Sequence, residues 1–354
     1  MASGLDRFRR LLISEPALAT ELGSRQMAAF RGASLPVTEL PSDSAALAHE
    51  AAQRPGTLLV LRTPSKGWVT KADYGSLASR PGERHLHPIM GCQSACAYCY
   101  LRGMEVGLRP LRFHVDLQDL LSSIDREIAT ADHQPLLFCT GELADSLGDA
   151  DLFPIAAELI RHIGRRRVAQ LELRTKSNCV QSLVDCDHGG LTTVAFSLAP
   201  QQYIKRHEPG TASLQERLEA AREVQKLGYR LAFKFEPILI ESDWKILYAE
   251  LLEAIVGSVD IAPIDHVSVG CLRWSGPLSD TKIFAKQYAE EIAAGEWIQY
   301  RPDRKNGTIR KDDRLEIYRW MRIQLRRVGI RSPIWWSVEE KPILDLLNED
   351  QMNP

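Results

Sequence analysis

Residues 91–101 read Gly-Cys-Gln-Ser-Ala-Cys-Ala-Tyr-Cys-Tyr-Leu, which places Cys92, Cys96 and Cys99 in a C-x3-C-x2-C spacing on one short loop. Three thiolates this close together can hold three irons of a [4Fe–4S] cube and leave the fourth iron open to an outside ligand. Two other readings compete. Zinc sites favour four ligands, usually two C-x2-C pairs or Cys with downstream His, and the fourth here would come from His85, His87 or farther away. Three unrelated thiols are the remaining alternative. The spacing favours the cluster.

The chain has 354 residues, enough for one large α/β barrel or two modest domains. Its seven cysteines are an odd number, and three of them crowd one loop. That usage points to metal chemistry in a reducing cytoplasm over a disulfide framework. No apolar run approaches the ~18 residues expected of a membrane span. The first residues, MASGLDRFRRLL, lack an apolar core before a small-residue cleavage site, so neither membrane nor secretion is expected. A net charge of −2 weighs mildly against a dedicated duplex-DNA binder, whose affinity rests on neutralising phosphates.

Strands and helices alternate through most of the chain. The pattern predicts a helix over 5–30, a buried strand at Gly56–Leu61, a helix over 116–130 and a strand ending at Phe138-Cys139. It continues with a helix over 151–164, strands at Ala169–Thr175 and Thr193–Leu198, and a helix over 213–227 closed by Gly228. Strand Leu231–Ile240, helix 243–256, strand His266–Cys271, helices 279–294 and 312–328 and strand Pro333–Val338 complete it. Such alternation indicates crossover units and a parallel sheet, with ligands at the carboxyl ends of the strands. The fold expected is α/β, a partial (β/α)6 barrel over 85–275. An extension at 1–84 packs on it, and α/β elements at 276–354 complete it and face the substrate.

Several residues fall on the rim this pattern creates. Gly141-Glu142 follows the second barrel strand, and a carboxylate beside close-approaching backbone suits an ammonium group. Cys139 precedes it, and a thiol there can donate a hydrogen atom; its bland reading is a small buried hydrophobe. Lys176 and Ser197 end the next two strands, suited to a ligand carboxylate or a ribose. Lys234 and Glu236 share one face of a strand and either pair with each other or meet ligand together. Arg165-Arg166-Arg167 reads as a solvated turn at a helix end.

The cysteine loop with Tyr98 before its last cysteine, followed by Gly141-Glu142, resembles radical S-adenosylmethionine (SAM) enzymes. Within them the sequence resembles the spore photoproduct lyase branch. The likeness rests on Gly91–Leu101, Cys139-Thr140, Thr175-Lys176, Phe196-Ser197, Tyr203-Ile204-Lys205 and Glu208-Pro209-Gly210-Thr211. It runs on through Arg217, Glu219-Ala220-Ala221 and Gly228-Tyr229 to Pro237-Ile238. The resemblance implies a [4Fe–4S] cluster on Cys92, Cys96 and Cys99, and SAM held by Gly141, Glu142, Lys176 and Ser197; the strand pattern, and not the resemblance, adds Glu236 as a further cofactor-binding candidate. It also implies that Cys139 returns a hydrogen atom to a product radical with help from Tyr98 and Tyr100. A reducing partner such as flavodoxin or ferredoxin, a cytoplasmic location and a monomer are expected with it.

The departures shape the expected substrate. Gly141-Glu142 stands where the lyases have Ser-Asp, and Glu236 where a small residue is expected. The lyases' DNA-probing hairpin corresponds to Gln299–Lys311, which carries five Arg and Lys residues and an Asn306-Gly307 turn signal but is a different sequence, followed by Trp335-Trp336. These departures and the charge put epimerisation of a small nucleoside or sugar-containing substrate first. Repair of a thymine photolesion in DNA is the alternative, and a non-enzymatic Fe–S or zinc-binding module is a distant third.

Overall fold

The computed structural model describes residues 4–30, 35–43, 56–72, 80–94, 96–103, 110–132, 134–274, 297–299 and 307–352. The chain divides into two compact units. One comprises Met1–Ala72, Pro81–Gln93 and Val106–Thr192, the other Asp73–Arg80, Ser94–Glu105 and Thr193–Pro354.

The first unit contains strands β1 (Arg10–Ser14), β2 (Val37–Leu40), β3 (Thr57–Leu61), β4 (Val69–Lys71), β5 (Glu83–Leu86), β6 (Ile89–Met90), β7 (Leu111–His114), β8 (Leu136–Thr140) and β9 (Ala169–Thr175). Strands β2, β1, β3 and β7 lie parallel in that order, with β6 antiparallel at the edge. The helix predicted over 5–30 is interrupted here. Leu11-Leu12-Ile13 is an apolar run buried on both faces as β1, between β2 and β3. Ser14 then caps α1 (Glu15–Leu18) by accepting from the Ala17 N–H, with proline in its first turn, and α2 (Glu21–Phe30) follows. Helical periodicity lost to two-sided burial, which favours a strand. The Gly56–Leu61 run is the wholly buried strand expected.

Strands β5, β8 and β9 form a parallel run with β4 antiparallel on its edge. Helix α3 (Leu117–Thr130) is capped by Asp116, and α4 (Ile155–Arg166) joins β8 to β9. Leu86, Thr140 and Gly141 line a small cavity with Ile155, Ala156 and Leu159 of α4. Side chains alternate along a strand, so His85 and Cys139, one residue earlier, point to the opposite face.

The second unit contains β10 (Thr192–Ser197), β11 (Arg230–Ile238), β12 (Ile264–Cys271), β13 (Arg273–Trp274), β14 (Trp297–Gln299), β15 (Gly307–Ile309) and β16 (Ile334–Trp336). Its helices are α5 (Gln201–His207), α6 (Leu214–Lys226), α7 (Trp244–Val256), α8 (Lys311–Arg327) and α9 (Lys341–Met352). Strands β10, β11, β12 and β16 are parallel neighbours in that order. Ser213 and Glu216 make a reciprocal capping box at the start of α6. The expected helix over 279–294 lies outside the described residues. Strands β14 and β15 pair antiparallel, with Gln299 opposite Gly307, and residues 300–306 also lie outside the described residues. Among the described residues no helix is long and apolar enough to cross a membrane.

Candidate active site

The cysteine loop is held by main-chain bonds at both ends. The Gly91 N–H donates to the Leu143 carbonyl at 2.8 Å within the first unit, and the Ala97 N–H donates to the His207 carbonyl at 2.8 Å within the second. Cys92, Cys96 and Cys99 are in no disulfide; Cys96 is buried and the other two half-buried. Among the described residues no three His, Cys, Asp or Glu side chains are gathered closely enough to hold a metal ion as they stand. The donor set nevertheless fits an iron–sulfur cluster, because three reduced thiols share one loop with no disulfide between them. Each of the two histidines that could complete a zinc site has one ring nitrogen already bonded. His85 Nε2 lies 3.2 Å from Glu83 Oε1, and His87 Nε2 lies 2.8 Å from Thr70 Oγ1.

Tyr98 is an anchor of this loop. Its hydroxyl donates to Glu208 Oε1, and the ring is buried. Burial, followed by the Glu208 charge, pushes the phenol well above its ordinary value, so it is a neutral donor. Glu208 is held in turn by the fully buried Arg217. That guanidinium also donates to the carbonyls of Ser197 at 2.8 Å and Ala212 at 2.9 Å and to Thr211 Oγ1 at 2.6 Å. One arginine thereby fastens the cysteine loop, the α5–α6 connection and the end of β10. Tyr100 begins a short 3-10 turn over Tyr100–Gly103 and is half-buried.

In the first unit, register defines a polar row. Cys139 stands opposite His85 of β5 and Glu172 of β9. Two residues along, on the same face, are Glu83 and Arg174. Arg174 donates to Glu172 Oε1 at 2.7 Å, to Glu142 Oε2 at 3.4 Å and to Glu83. Burial alone would push this guanidinium down; Cys139, Glu172, Glu83 and Glu142 together hold it well above its ordinary value. The thiol of Cys139 is fully buried among these groups.

Gly141 has a local reason to be glycine. Its φ is +90°, and a Cβ there would lie 2.6 Å from the Arg174 carbonyl oxygen and 2.8 Å from Ser146 Oγ. The loop it opens is tied to β9 by Asp145. Asp145 Oδ1 accepts from Leu147 N–H at 2.9 Å, Gly148 N–H at 2.8 Å and Thr175 Oγ1 at 2.7 Å, while Oδ2 accepts from Lys176 N–H at 2.7 Å. Asp145 thus joins the Leu147-Gly148 turn to the Thr175-Lys176 end of β9. Sequence reasoning missed it, although an Asp three residues after Gly-Glu, before Gly148, is a recognisable turn signal.

In the second unit Ser197, Lys234, Ser268 and Trp335 are successive register partners across β10, β11, β12 and β16. Glu236 Oε1 accepts from Lys234 Nζ at 3.1 Å and from Ser268 Oγ. Of the two readings of this pair, the internal one is what the structure shows: Lys234 and Glu236 bind each other. Gly270 leaves room for Glu236, since a Cβ there would come within 3.2 Å of its Cγ. Cys271 is buried and pushed up to about 12 by desolvation, and its backbone N–H donates to Tyr318 Oη at 3.4 Å.

A family model described as "Spore photoproduct lyase" matches residues 73–291. The spore photoproduct lyase of Bacillus subtilis (strain 168) is 32% identical over 180 residues, covering 50% of this chain and 52% of that protein. The one from Geobacillus sp. (strain Y412MC61) is 31% identical over 185 residues, covering 52% and 54%. The chain therefore spans about half the length of the curated relatives it matches. Among solved structures, a spore photoproduct lyase complexed with dinucleoside spore photoproduct aligns with a TM-score of 0.77 at 21% identity, over 92% of this chain and 98% of that one. A double mutant with bound AdoMet and dinucleoside spore photoproduct aligns at 0.76, also at 21% identity, over 93% and 99%. At such identity the likeness shows the fold, the α/β partial barrel of radical SAM lyases, as the sequence predicted. A [4Fe–4S] cluster and SAM are the cofactors of those lyases, and the cysteine loop is suited to the first of them. With residues 73–291 matched and this fold beneath them, the chain belongs to the spore photoproduct lyase family.

Proposed function

We propose that this chain is a radical SAM lyase that splits a thymine photolesion in DNA. The observation that carries the reading is Cys139, a buried cysteine outside any disulfide on the face of β8 opposite α4, in a chain of this family. Cys92, Cys96 and Cys99 would hold the cluster; Glu142 and the Gly141 backbone the amino group of SAM, Lys176 its carboxylate, and Ser197 its ribose or carboxylate. Once bound, these cofactors supply a 5′-deoxyadenosyl radical that removes a substrate hydrogen. Cys139 then gives its thiol hydrogen to the radical left after the lesion's linking bond breaks. Tyr98 and Tyr100 assist the hydrogen's return to sulfur. For Tyr98, the hydrogen bond to Glu208 offers its proton an acceptor as an electron leaves the ring. The reading calls for a low-potential electron carrier such as flavodoxin or ferredoxin.

Epimerisation of a small nucleoside, which the sequence put first, is less well supported. Glu236, one of its motives, has internal partners in Lys234 and Ser268. The relatives and the aligned structures carry the names of lyases and, in two cases, a dinucleoside photoproduct. The deciding experiment is anaerobic reconstitution with iron, sulfide and reductant, then incubation with duplex carrying the thymine lesion. Release of 5′-deoxyadenosine with matching recovery of thymine is expected. Release of 5′-deoxyadenosine with the lesion untouched would sink the proposal.

A further inference from the structure

Trp335 and Trp336 are neighbours in one short strand and have opposite environments. Trp336 is 9% exposed, and its ring packs on Tyr318 of α8 at 5.0 Å between centroids, with the Arg322 guanidinium 6.0 Å from it. The face of β16 that carries Trp336 is therefore the helix-covered one. Strand alternation turns Trp335 to the other face, where it is 40% exposed. On that face its register partner is Ser268, then Lys234, then Ser197. A large aromatic left open at the end of a row of buried polar side chains is the uncommon observation, because single exposed aliphatic residues need no explanation.

The platform is also fixed before any ligand arrives. The Ser337 N–H donates to the Val269 carbonyl at 2.8 Å, directly after Trp336. Arg273 donates to the Ser337 carbonyl at 2.5 Å and to Glu339 at 3.0 Å. Glu339, fully buried, also accepts from Arg314 at 3.1 Å and Tyr318 at 2.7 Å. The backbone on the carboxyl side of Trp335 is thus clamped, so little freedom is lost when the indole receives a partner.

We infer that Trp335 is a binding residue whose indole face stacks on a nucleobase of the substrate, while the Lys234–Glu236–Ser268 group offers hydrogen bonds to the same ligand. This deepens the lesion-splitting reading and rests on it. The chemistry fits a dinucleoside. Three inter-strand steps of about 4.8 Å put Trp335 roughly 14 Å along the sheet from Ser197, a separation that suits the outer of two linked bases. Base-on-indole stacking tolerates any base, since each presents a π face. The lysine, carboxylate and serine supply the donors and acceptors that a base edge or sugar uses.

The test is a titration of the reconstituted enzyme with dinucleoside spore photoproduct, reading Kd together with KM and kcat, for native protein, Trp335→Ala, Trp335→Phe and Ile323→Ala. Ile323 is an exposed residue of α8 and serves as the control for a surface truncation. Trp335→Ala is expected to raise Kd and KM together about tenfold, with a smaller change in kcat. Trp335→Phe, which keeps a ring, should recover most of that loss, and Ile323→Ala should match native protein. An unchanged Kd in Trp335→Ala, or a phenylalanine variant as weak as alanine, overturns the stacking role while native turnover keeps the lyase reading standing. Native protein that neither binds nor turns over the dinucleoside overturns both.

Discussion

Arg174 in the first unit and Arg217 in the second are both buried guanidiniums bound to carboxylates, yet their partners differ in kind. Arg217 meets one carboxylate, Glu208, and spends its other donors on the carbonyls of Ser197 and Ala212 and on Thr211. Its charge is matched one to one, and its bonds join backbone segments. Arg174 meets three carboxylates, Glu83, Glu142 and Glu172. No single guanidinium balances three carboxylates. These charges lie on the face that carries Cys139, whose nearest cation is Arg174 itself. One arginine is a staple; the other gathers three carboxylates beside the Cys139 thiol.

The largest effect expected is at the thiol itself. Cys139→Ala should leave reductive SAM cleavage running while correctly closed product nearly disappears, as read by chromatography of 5′-deoxyadenosine and of repaired thymine in one reaction. Equal product from native and variant enzyme would remove Cys139 from the chemistry and, with it, the special status of the first row. Next come the arginines. Arg217→Met should cost about 3–5 kcal/mol in denaturant unfolding, because it strands a buried carboxylate. Adding Glu208→Gln should restore much of that, since both charges are then gone and Gln still accepts from Tyr98. Arg174→Met should cost at least as much, and no single Glu→Gln change should rescue it. Rescue of both arginine variants alike would erase the distinction drawn between them.

Much of this was legible before any coordinates. Strand Ala169–Thr175 was placed as observed, and most of the later helices and strands were placed to within a few residues, because Val, Ile, Leu and Phe runs bounded by Gly and Pro leave little choice. The thiol row could be placed on a rim, but its partners could not be named, since Glu83, His85 and Glu172 reach Cys139 only through parallel register across β5, β8 and β9. Spacing in sequence says nothing about register between strands fifty residues apart. Arg217 illustrates the same gap. It was visible only as a family match, while its role as the fastening of Tyr98 through Glu208 depends on burial. The N-terminal helix failed for a related reason, because β1 is a strand only where β2 and β3 flank it.

A smaller effect is expected at Asp145, which supports the first row from behind. Asp145→Asn removes one acceptor oxygen and turns an amide toward the Lys176 or the Gly148 N–H. Losing a charged hydrogen bond of this kind costs about 1.5–3 kcal/mol. The expected signature is a raised KM for SAM with kcat less affected, measured in initial-rate assays of 5′-deoxyadenosine release. Native-like SAM affinity would mean that the loop is held without Asp145, and that the contrast between units rests on Arg174 alone.

The mildest prediction separates the units by pH. In the first unit, burial lowers His87 to about 4, helped by the nearby His85, and burial lowers His114 to about 4 as well. Each histidine stays neutral in the fold while the unfolded chain takes up a proton near pH 6.5, so its contribution is complete above 6.5 and is lost as pH falls toward 4. Asp149 works the other way. Burial raises it to about 6, so its contribution is present at low pH and lost as pH rises through 6. Between pH 6.5 and 4 the two histidines outnumber the one carboxyl, leaving about one extra proton on the unfolded chain. Stability should therefore fall by about 1.4 kcal/mol for each pH unit of acidification. Hydrogen exchange reads this locally: amides of β7, which carries His114, should lose protection over that range, and His114→Gln should flatten the slope. If β7 keeps its protection down to pH 4, the buried histidines are not the acid-sensitive groups, and the two units differ only in how their arginines are paired.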